Sequence, residues 1–291
     1  MITKKIIESE IENLVGLTDM IDAFEEIAAL RIKRTRDSVL KSRDYLSEIN
    51  IIFQQVKSSY KRELNFLMKK GKVKDPSKLS FLQRNGKTLS VFISANTGLY
   101  GDIVERTFEL FEKNVKEQKT DVAIIGRLGA SLFENAGIKT PYKFFELSDQ
   151  HIDSNKVREI ATYLLQYEKI VVYYSQFQSI VKQEAVATDV SGNLIEEQSQ
   201  EEAVVKYLFE PSLEKILGFF EGEIFSSIFE QSVHESQLSK FASRLVTLAD
   251  ASENTKKRLK NYVFQKDQLR HSDNNRKQLQ VLSSMHLWKA N

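Results

Sequence analysis

The chain has 291 residues, no cysteine, 41% hydrophobic and 28% charged residues, and a formal net charge of +2. That balance gives no global case for nucleic acid, and the lack of cysteine excludes disulfides and thiolate metal sites, as suits a reducing cytosolic setting. No apolar run reaches the roughly 18 residues of a membrane span, and the start of the chain carries Glu8, Glu10 and Glu12, unlike a signal or transit peptide.

The pattern predicts a first helix beginning near Ile6 or Ile11, with Gly16 its one weak point, because residues 17–70 contain neither glycine nor proline. Along it Ile32, Thr35, Val39, Ser42, Leu46, Ile49, Phe53, Val56, Tyr60 and Leu67 keep an alternating three and four spacing. A seam recurring about every 3.5 residues belongs to a helix wrapped on a partner helix rather than laid on a sheet. Residues 71–87, with Asp75-Pro76 and Asn85-Gly86, read as a connection.

The middle of the chain changes character. A short apolar run at 89–94 leads into Asn96-Thr97-Gly98-Leu99-Tyr100-Gly101 and an amphipathic helix to about Val115. The same strand, glycine and helix order recurs at 122–126 with 127–135, and more loosely at 142–147 with 156–167. Residues 169–174 form another strand, and alternation to about Thr188 continues the sheet, so a mostly parallel sheet with packed helices is expected. Residues 189–202 form a polar loop, 203–209 return as a strand, and Glu210-Pro211-Ser212 opens a helix that Gly218 and Gly222 are placed to interrupt.

From 223 to 291 there is again no glycine or proline. A continuous helix of that length would run to roughly 100 Å. Its seam is Leu238, Phe241, Leu245, Leu248, Ser252, Thr255, Leu259, Tyr262 and Leu269. All three prolines and ten of the eleven glycines fall between Gly71 and Gly222. The expected fold is therefore α/β: a long antiparallel coiled coil of the N-terminal (1–70) and C-terminal (223–291) helices, with a Rossmann-like α/β domain (71–222) inserted between them.

Charge is uneven along the two helices. Residues 1–30 hold two lysines against seven acids, 31–74 thirteen basic residues against four acids, and 253–289 nine against three. Part of this is complementarity between paired helices, worth a few tenths of a kcal/mol per exposed pair. The basic excess is larger than the acidic stretch neutralises, which points to acidic loops on a partner.

Catalytic patterns are thin. His151, His234, His271 and His286 stand in no metal-binding spacing, no Gly-x-Ser-x-Gly elbow occurs, and the Gly98 and Gly101 pair lacks the rest of a dinucleotide or phosphate-loop fingerprint. No cofactor or metal is expected, and tight turning explains those glycines. Trp288 stands open between a plug for an apolar collar and a terminal packing residue.

Five stretches carry a family resemblance. Ala23-Phe24-Glu25-Glu26-Ile27-Ala28-Ala29-Leu30-Arg31-Ile32, Ala95-Asn96-Thr97-Gly98-Leu99-Tyr100-Gly101, Tyr174-Ser175-Gln176-Phe177-Gln178-Ser179, Glu210-Pro211-Ser212 and Ala242-Ser243-Arg244-Leu245-Val246-Thr247-Leu248-Ala249-Asp250-Ala251-Ser252-Glu253-Asn254 follow one another along the chain. In this order they resemble the gamma subunit of rotary F-type ATPases. The sequence departs from the family at Asp19 and Asp22, which stand where two lysines are usual, at His271 in a usual Arg-Gln pair, and in the unmatched stretch 281–291.

The resemblance implies a non-catalytic shaft on the axis of a hexamer of alpha and beta subunits. It also implies an epsilon-like subunit and a membrane rotor ring as further partners, and a cytoplasmic location, peripheral to the membrane. Arg31, Arg34, Arg244, Arg270 and His271 are the hexamer contacts it suggests. The departures suggest a diverged gamma, as in a specialised motor not used for ATP synthesis. Two rivals come from other classes: a coiled-coil scaffold that pairs with itself through 238–269, and an enzyme with a nucleotide site in 71–222.

Overall fold

The computed structural model describes residues 4–69, 85–191 and 213–289, with side chains described over 4–49, 51–52, 85–191, 218–219 and 222–284. The expected strand at 203–209, most of the connection at 71–87, the Glu210-Pro211-Ser212 helix start, most of the loop at 189–202 and the side chains of Phe53, Val56, Tyr60, Leu67 and Trp288 lie outside these residues.

Helix α1 spans Lys4–Lys69. Strand β1 (Thr88–Ile93) is followed by α2 (Ile103–Glu117), β2 (Asp121–Ile125), α3 (Arg127–Asn135), β3 (Tyr142–Phe145), α4 (Ser154–Leu164), β4 (Lys169–Phe177) and β5 (Gln183–Asp189). Helix α5 covers Leu213–Lys289. It runs straight through Gly218 and Gly222, so the expected interruption is absent. A helical glycine costs about 1 kcal/mol against alanine, less than fully burying a phenylalanine returns at about 2 kcal/mol, and the following turns bury Phe225 and Phe229.

The chain divides into two compact units, residues 1–28 with 245–291, and residues 29–244. In the first, α1 buries Ile7, Leu14, Ile21 and Ala28, each seven residues after the last, while α5 buries Leu248, Ser252 and Thr255. Glu8 pairs with Lys266 at 3.4 Å and Asp22 with Lys256 at 3.8 Å, which sets the two helices antiparallel. The Asp22 pair answers the charge inversion noted above within the chain itself. Residues 271–284 of α5 are exposed throughout, including Leu279, Val281 and Leu282.

In the second unit the sheet has strand order β3-β2-β1-β4-β5. The first four strands are parallel, and β5 runs antiparallel to β4 at one edge. Alternation along each strand divides the side chains between two layers. Leu89, Val91, Ile93, Ile125, Ile170 and Val172 share one core with Val157, Ile160 and Leu164 of α4 and with Phe225, Phe229 and Val233 of α5. On the other face Phe92 stacks on Phe111 of α2 at 5.2 Å, and Phe111 meets Tyr173 edge-on at 5.3 Å. Gly126, at φ 104°, carries the chain from β2 into α3; a Cβ there would lie 2.7 Å from the Ala95 carbonyl oxygen.

Within this unit α1 continues the predicted seam through Ile32, Thr35, Val39 and Ile49. It meets α5 again in antiparallel sense. Thr35 Oγ1 lies 3.4 Å from Gln237 Oε1, Arg43 Nη2 donates to Glu235 Oε1 at 2.8 Å, and the Tyr45 hydroxyl donates to Glu223 at 3.1 Å.

Candidate functional site

A parallel sheet of this order reverses direction between β1 and β4, and open α/β sheets bind ligands in the crevice beyond the carboxyl ends of those strands. Here α5 occupies that crevice. Ser175 of β4 places its Oγ 3.4 Å from the Ser236 carbonyl oxygen of α5. Lys240 Nζ donates to the Ser94 carbonyl oxygen, just past the end of β1, at 2.6 Å. The helix comes this close because Ser232, Ser236, Ser239 and Ser243 are small and buried.

The turn after β1 is fixed by one carboxylate. Asp149 Oδ2 accepts the backbone N–H groups of Asn96 at 2.8 Å and Thr97 at 3.0 Å. Its Oδ1 lies 3.7 Å from Lys240 Nζ, and both side chains are 7% exposed. Gln237 Nε2 donates to the Asp149 carbonyl oxygen at 2.9 Å. One turn beyond Lys240, Arg244 Nη2 donates to the Gly98 carbonyl oxygen at 2.9 Å and Nε to that of Leu99 at 3.0 Å. The same guanidinium lies 4.1 Å from the Tyr100 ring centroid. Gln237, Lys240 and Arg244 therefore form one helical stripe at positions i, i+3 and i+7, the first bonded to Asp149 and the other two to the segment 94–100 that Asp149 holds.

The left-handed residues of this turn are Leu99, at φ 64°, and Gly101, at φ 62°. Gly98 is not among them, so the expected role of its flexibility falls to its neighbour. Leu99 is a non-glycine residue held in a costly conformation, and it is 66% exposed. Burial sets the ionisation of the site: it lowers the Lys240 ammonium, against the pull of Asp149, and raises the Tyr100 phenol.

The space left beside this joint, lined in part by Ser94, Asp149, Gln237 and Lys240, is about 10 Å³, the size of a water molecule. The structure thus contradicts a nucleotide site at this crevice: the position is filled by the chain's own helix. Among the described residues no group of histidine, aspartate and glutamate side chains is placed to hold a metal ion.

The predicted contact residues separate into two groups. Arg31 donates to the backbone and side-chain oxygens of Gln150 at 2.8 and 3.3 Å, and Arg244 grips the turn after β1, so both bind within their own unit. Arg34 and His271 are exposed, and Arg270 lies 3.6 Å from Asp267, one turn away on the same helix. Sequence reasoning missed Lys240 and Asp149. A charged residue among small serines, four positions before Arg244, was the available signal for Lys240; Asp149, in a loop, had none.

A family model described as ATP synthase matches residues 3–273. The chain belongs to that family. Relatives found include gamma chains. The ATP synthase gamma chain of Mesoplasma florum is 25% identical over 258 residues, 86% of each chain. That of Dictyoglomus thermophilum is 24% identical over 298 residues, 99% of each. A cryo-electron microscopy structure of the Tetrahymena thermophila mitochondrial ATP synthase central stalk shares the fold, with a TM-score of 0.53 at 17% identity over 80% of this chain and 99% of that one. Two of the stretches that resemble the gamma family touch in the structure: Arg244, of the stretch 242–254, is bonded to Gly98 and Leu99, of the stretch 95–101. These two gamma-type motifs are thus parts of one joint rather than separate signatures.

Proposed function

We propose that the chain is the central rotor shaft, the gamma subunit, of an F-type rotary ATPase, coupling ATP synthesis or hydrolysis in a catalytic alpha/beta hexamer to rotation. The observation that carries this is the family match across residues 3–273, set on antiparallel terminal helices that meet an α/β sheet. Catalysis belongs to the hexamer; this chain contributes no catalytic residue and works by turning.

On this reading residues 1–70 and 223–291 form the shaft and 71–222 the inserted domain. The shaft enters the hexamer, and the domain faces an epsilon-like subunit and a membrane rotor ring. The Tetrahymena structure holds the central stalk with a c-ring, and a Euglena gracilis mitochondrial ATP synthase structure holds OSCP, F1 and a c-ring. Among the described residues no helix is long and apolar enough to cross a membrane, which is consistent with a subunit held peripherally at the cytoplasmic face.

Arg31, Arg34, Arg244, Arg270 and His271 are proposed as hexamer contacts. Arg34 and His271, exposed on α1 and α5, suit acidic loops directly. Arg31 and Arg244 would act from positions already fixed on the body. The exposed apolar residues Leu279, Val281 and Leu282 suit a low-friction apolar collar. A second form of the same reading is a specialised motor not used for ATP synthesis, which the departures at Asp19, Asp22 and His271 suggest.

Purification of the tagged full-length chain from its own cells tests the proposal. The expected result is a stoichiometric nucleotide-binding hexamer that co-purifies and hydrolyses ATP. A chain that runs alone, or that self-associates through 238–269 as a scaffold would, overturns it.

A further inference from the structure

We infer that Lys240 is a positioning residue that fixes α5 in rotation on the α/β body, acting with Asp149 as a pin through the crevice where related sheets hold ligands. The inference rests on the shaft reading for its purpose, because a shaft transmits torque only if it cannot turn within its own body. Its geometry stands independently.

Apolar contact is non-directional, so on its own it sets the angle of a helix less sharply than bonds with a fixed geometry do. Directional bonds are needed to set the angle. The apolar residues Phe225, Phe229 and Val233 of α5 supply the packing. One directional bond, from Ser154 Oγ to Glu230 at 3.2 Å, lies among them at the exposed edge, and the buried ones lie further along the helix. Lys240 Nζ reaches the Ser94 carbonyl oxygen at 2.6 Å, and Gln237 Nε2 reaches the Asp149 carbonyl oxygen at 2.9 Å. Asp149 in turn ties the Asn96 and Thr97 N–H groups to the same place.

The contact is enclosed. Lys240 and Asp149 are each 7% exposed, so water competes little for either. Burying a lysine and a carboxylate costs more than apolar side chains of the same size would, and such pairs are best explained where they set register or orientation. Arg244 lies at the exposed margin of the same stripe and holds the outer end of the turn. Lys240 is placed to set the angle, and Arg244 to keep the socket closed.

The test uses the full chain, whose lack of cysteine allows two introduced labels to be specific. Spin labels are attached at Val181, 80% exposed at the tip between β4 and β5, and at Phe219, 66% exposed on α5 within the same unit. Pulsed electron resonance then gives the distribution of their separation, well below the unfolding temperature. Lys240→Met keeps the length of the side chain and removes its charge and donors. The expected result is a distribution broadened at least about twofold, with helix content unchanged. A distribution as narrow as in the parent chain overturns the inference, even if the variant unfolds more easily.

Asp149→Asn is the second variant, for use if Lys240→Met does not fold. It retains an acceptor for the Asn96 and Thr97 N–H groups but loses the charge facing Lys240, and it is expected to broaden the distribution as well; an unchanged width again counts against the pin. Failure of the chain to associate with a hexamer would remove the shaft reading and leave this result intact. Association with a hexamer by a Lys240→Met chain of unchanged width would do the reverse.

Discussion

Arg43 of α1 and Glu235 of α5 stand 192 positions apart in the sequence, yet Arg43 Nη2 donates to Glu235 Oε1 at 2.8 Å. Glu235 is 2% exposed, and its other oxygen, Oε2, is buried without a hydrogen-bond partner. The terminal helices are therefore joined by a carboxylate that depends on one guanidinium and on the Gln231 amide, which donates to the same oxygen at 2.9 Å.

Arg43→Ala removes two of the three hydrogen bonds donated to that buried carboxylate, and the expected loss is about 1–3 kcal/mol. This lies below the roughly 3–5 kcal/mol of a fully buried pair because the Arg43 side chain is itself partly exposed. Replacing both residues by leucine costs less than the arginine change alone, since no charge is left stranded. Urea unfolding of the three variants checks the order.

The charge of Lys240 gives stability a defined pH dependence. Burial holds its folded pKa below the ordinary 10.5, Asp149 opposes that shift, and Arg244 adds to it. Between the lowered folded value and 10.5 the unfolded chain binds more protons than the folded one, so this group makes stability rise with pH. Tyr100, Tyr173 and Tyr174, pushed above 10.0 by burial, act in the opposite sense once the pH passes 10. The comparison is therefore made below pH 10: the parent chain gains stability relative to Lys240→Met as pH rises. Parallel stability curves for the two chains would contradict the burial of a charged lysine.

Two glycines are expected to respond in opposite directions. Gly16 lies within α1 with nothing near the position of an added Cβ, so Gly16→Ala stabilises by about 1 kcal/mol. Gly126→Ala brings a Cβ to 2.7 Å from Ala95 O at φ 104°, and a loss of about 3 kcal/mol is expected. Thermal unfolding separates the two cases.

The seam of the terminal helices was legible because a heptad reports its own partner: Ile32, Thr35, Val39 and Ile49 are buried as their spacing required. The strands of the sheet were legible from short β-branched runs closed by glycine, and α3 was found at 127–135 as expected. The passage of α5 through Gly218 and Gly222 was not, because local propensity says nothing of the core that Phe225 and Phe229 reach. Nor was the joint. Asp149 and Lys240 are brought together by topology, by a sheet that reverses at β1 and a helix that returns to it, and no spacing in the sequence encodes that meeting. The roles of Arg31 and Arg244 are half visible for the same reason: their charge shows in the sequence, their carbonyl partners only in the fold.

Separate substitutions of the basic residues distinguish internal bonds from partner contacts. Arg34→Ala touches an exposed side chain and should change stability by no more than about 0.5 kcal/mol while weakening association with the hexamer. Arg244→Ala breaks two hydrogen bonds and the contact with Tyr100, and a loss of roughly 1–2 kcal/mol is expected after discounting for exposure. Unfolding and hexamer-binding measurements on the same two proteins check both halves.

Rotation itself is the most direct measurement. The assembled complex is fixed through its hexamer, and a probe is attached to a cysteine introduced at Val181. With ATP supplied, the probe is predicted to turn in steps in a single direction. A probe that stays still or only diffuses while ATP is hydrolysed would contradict the account.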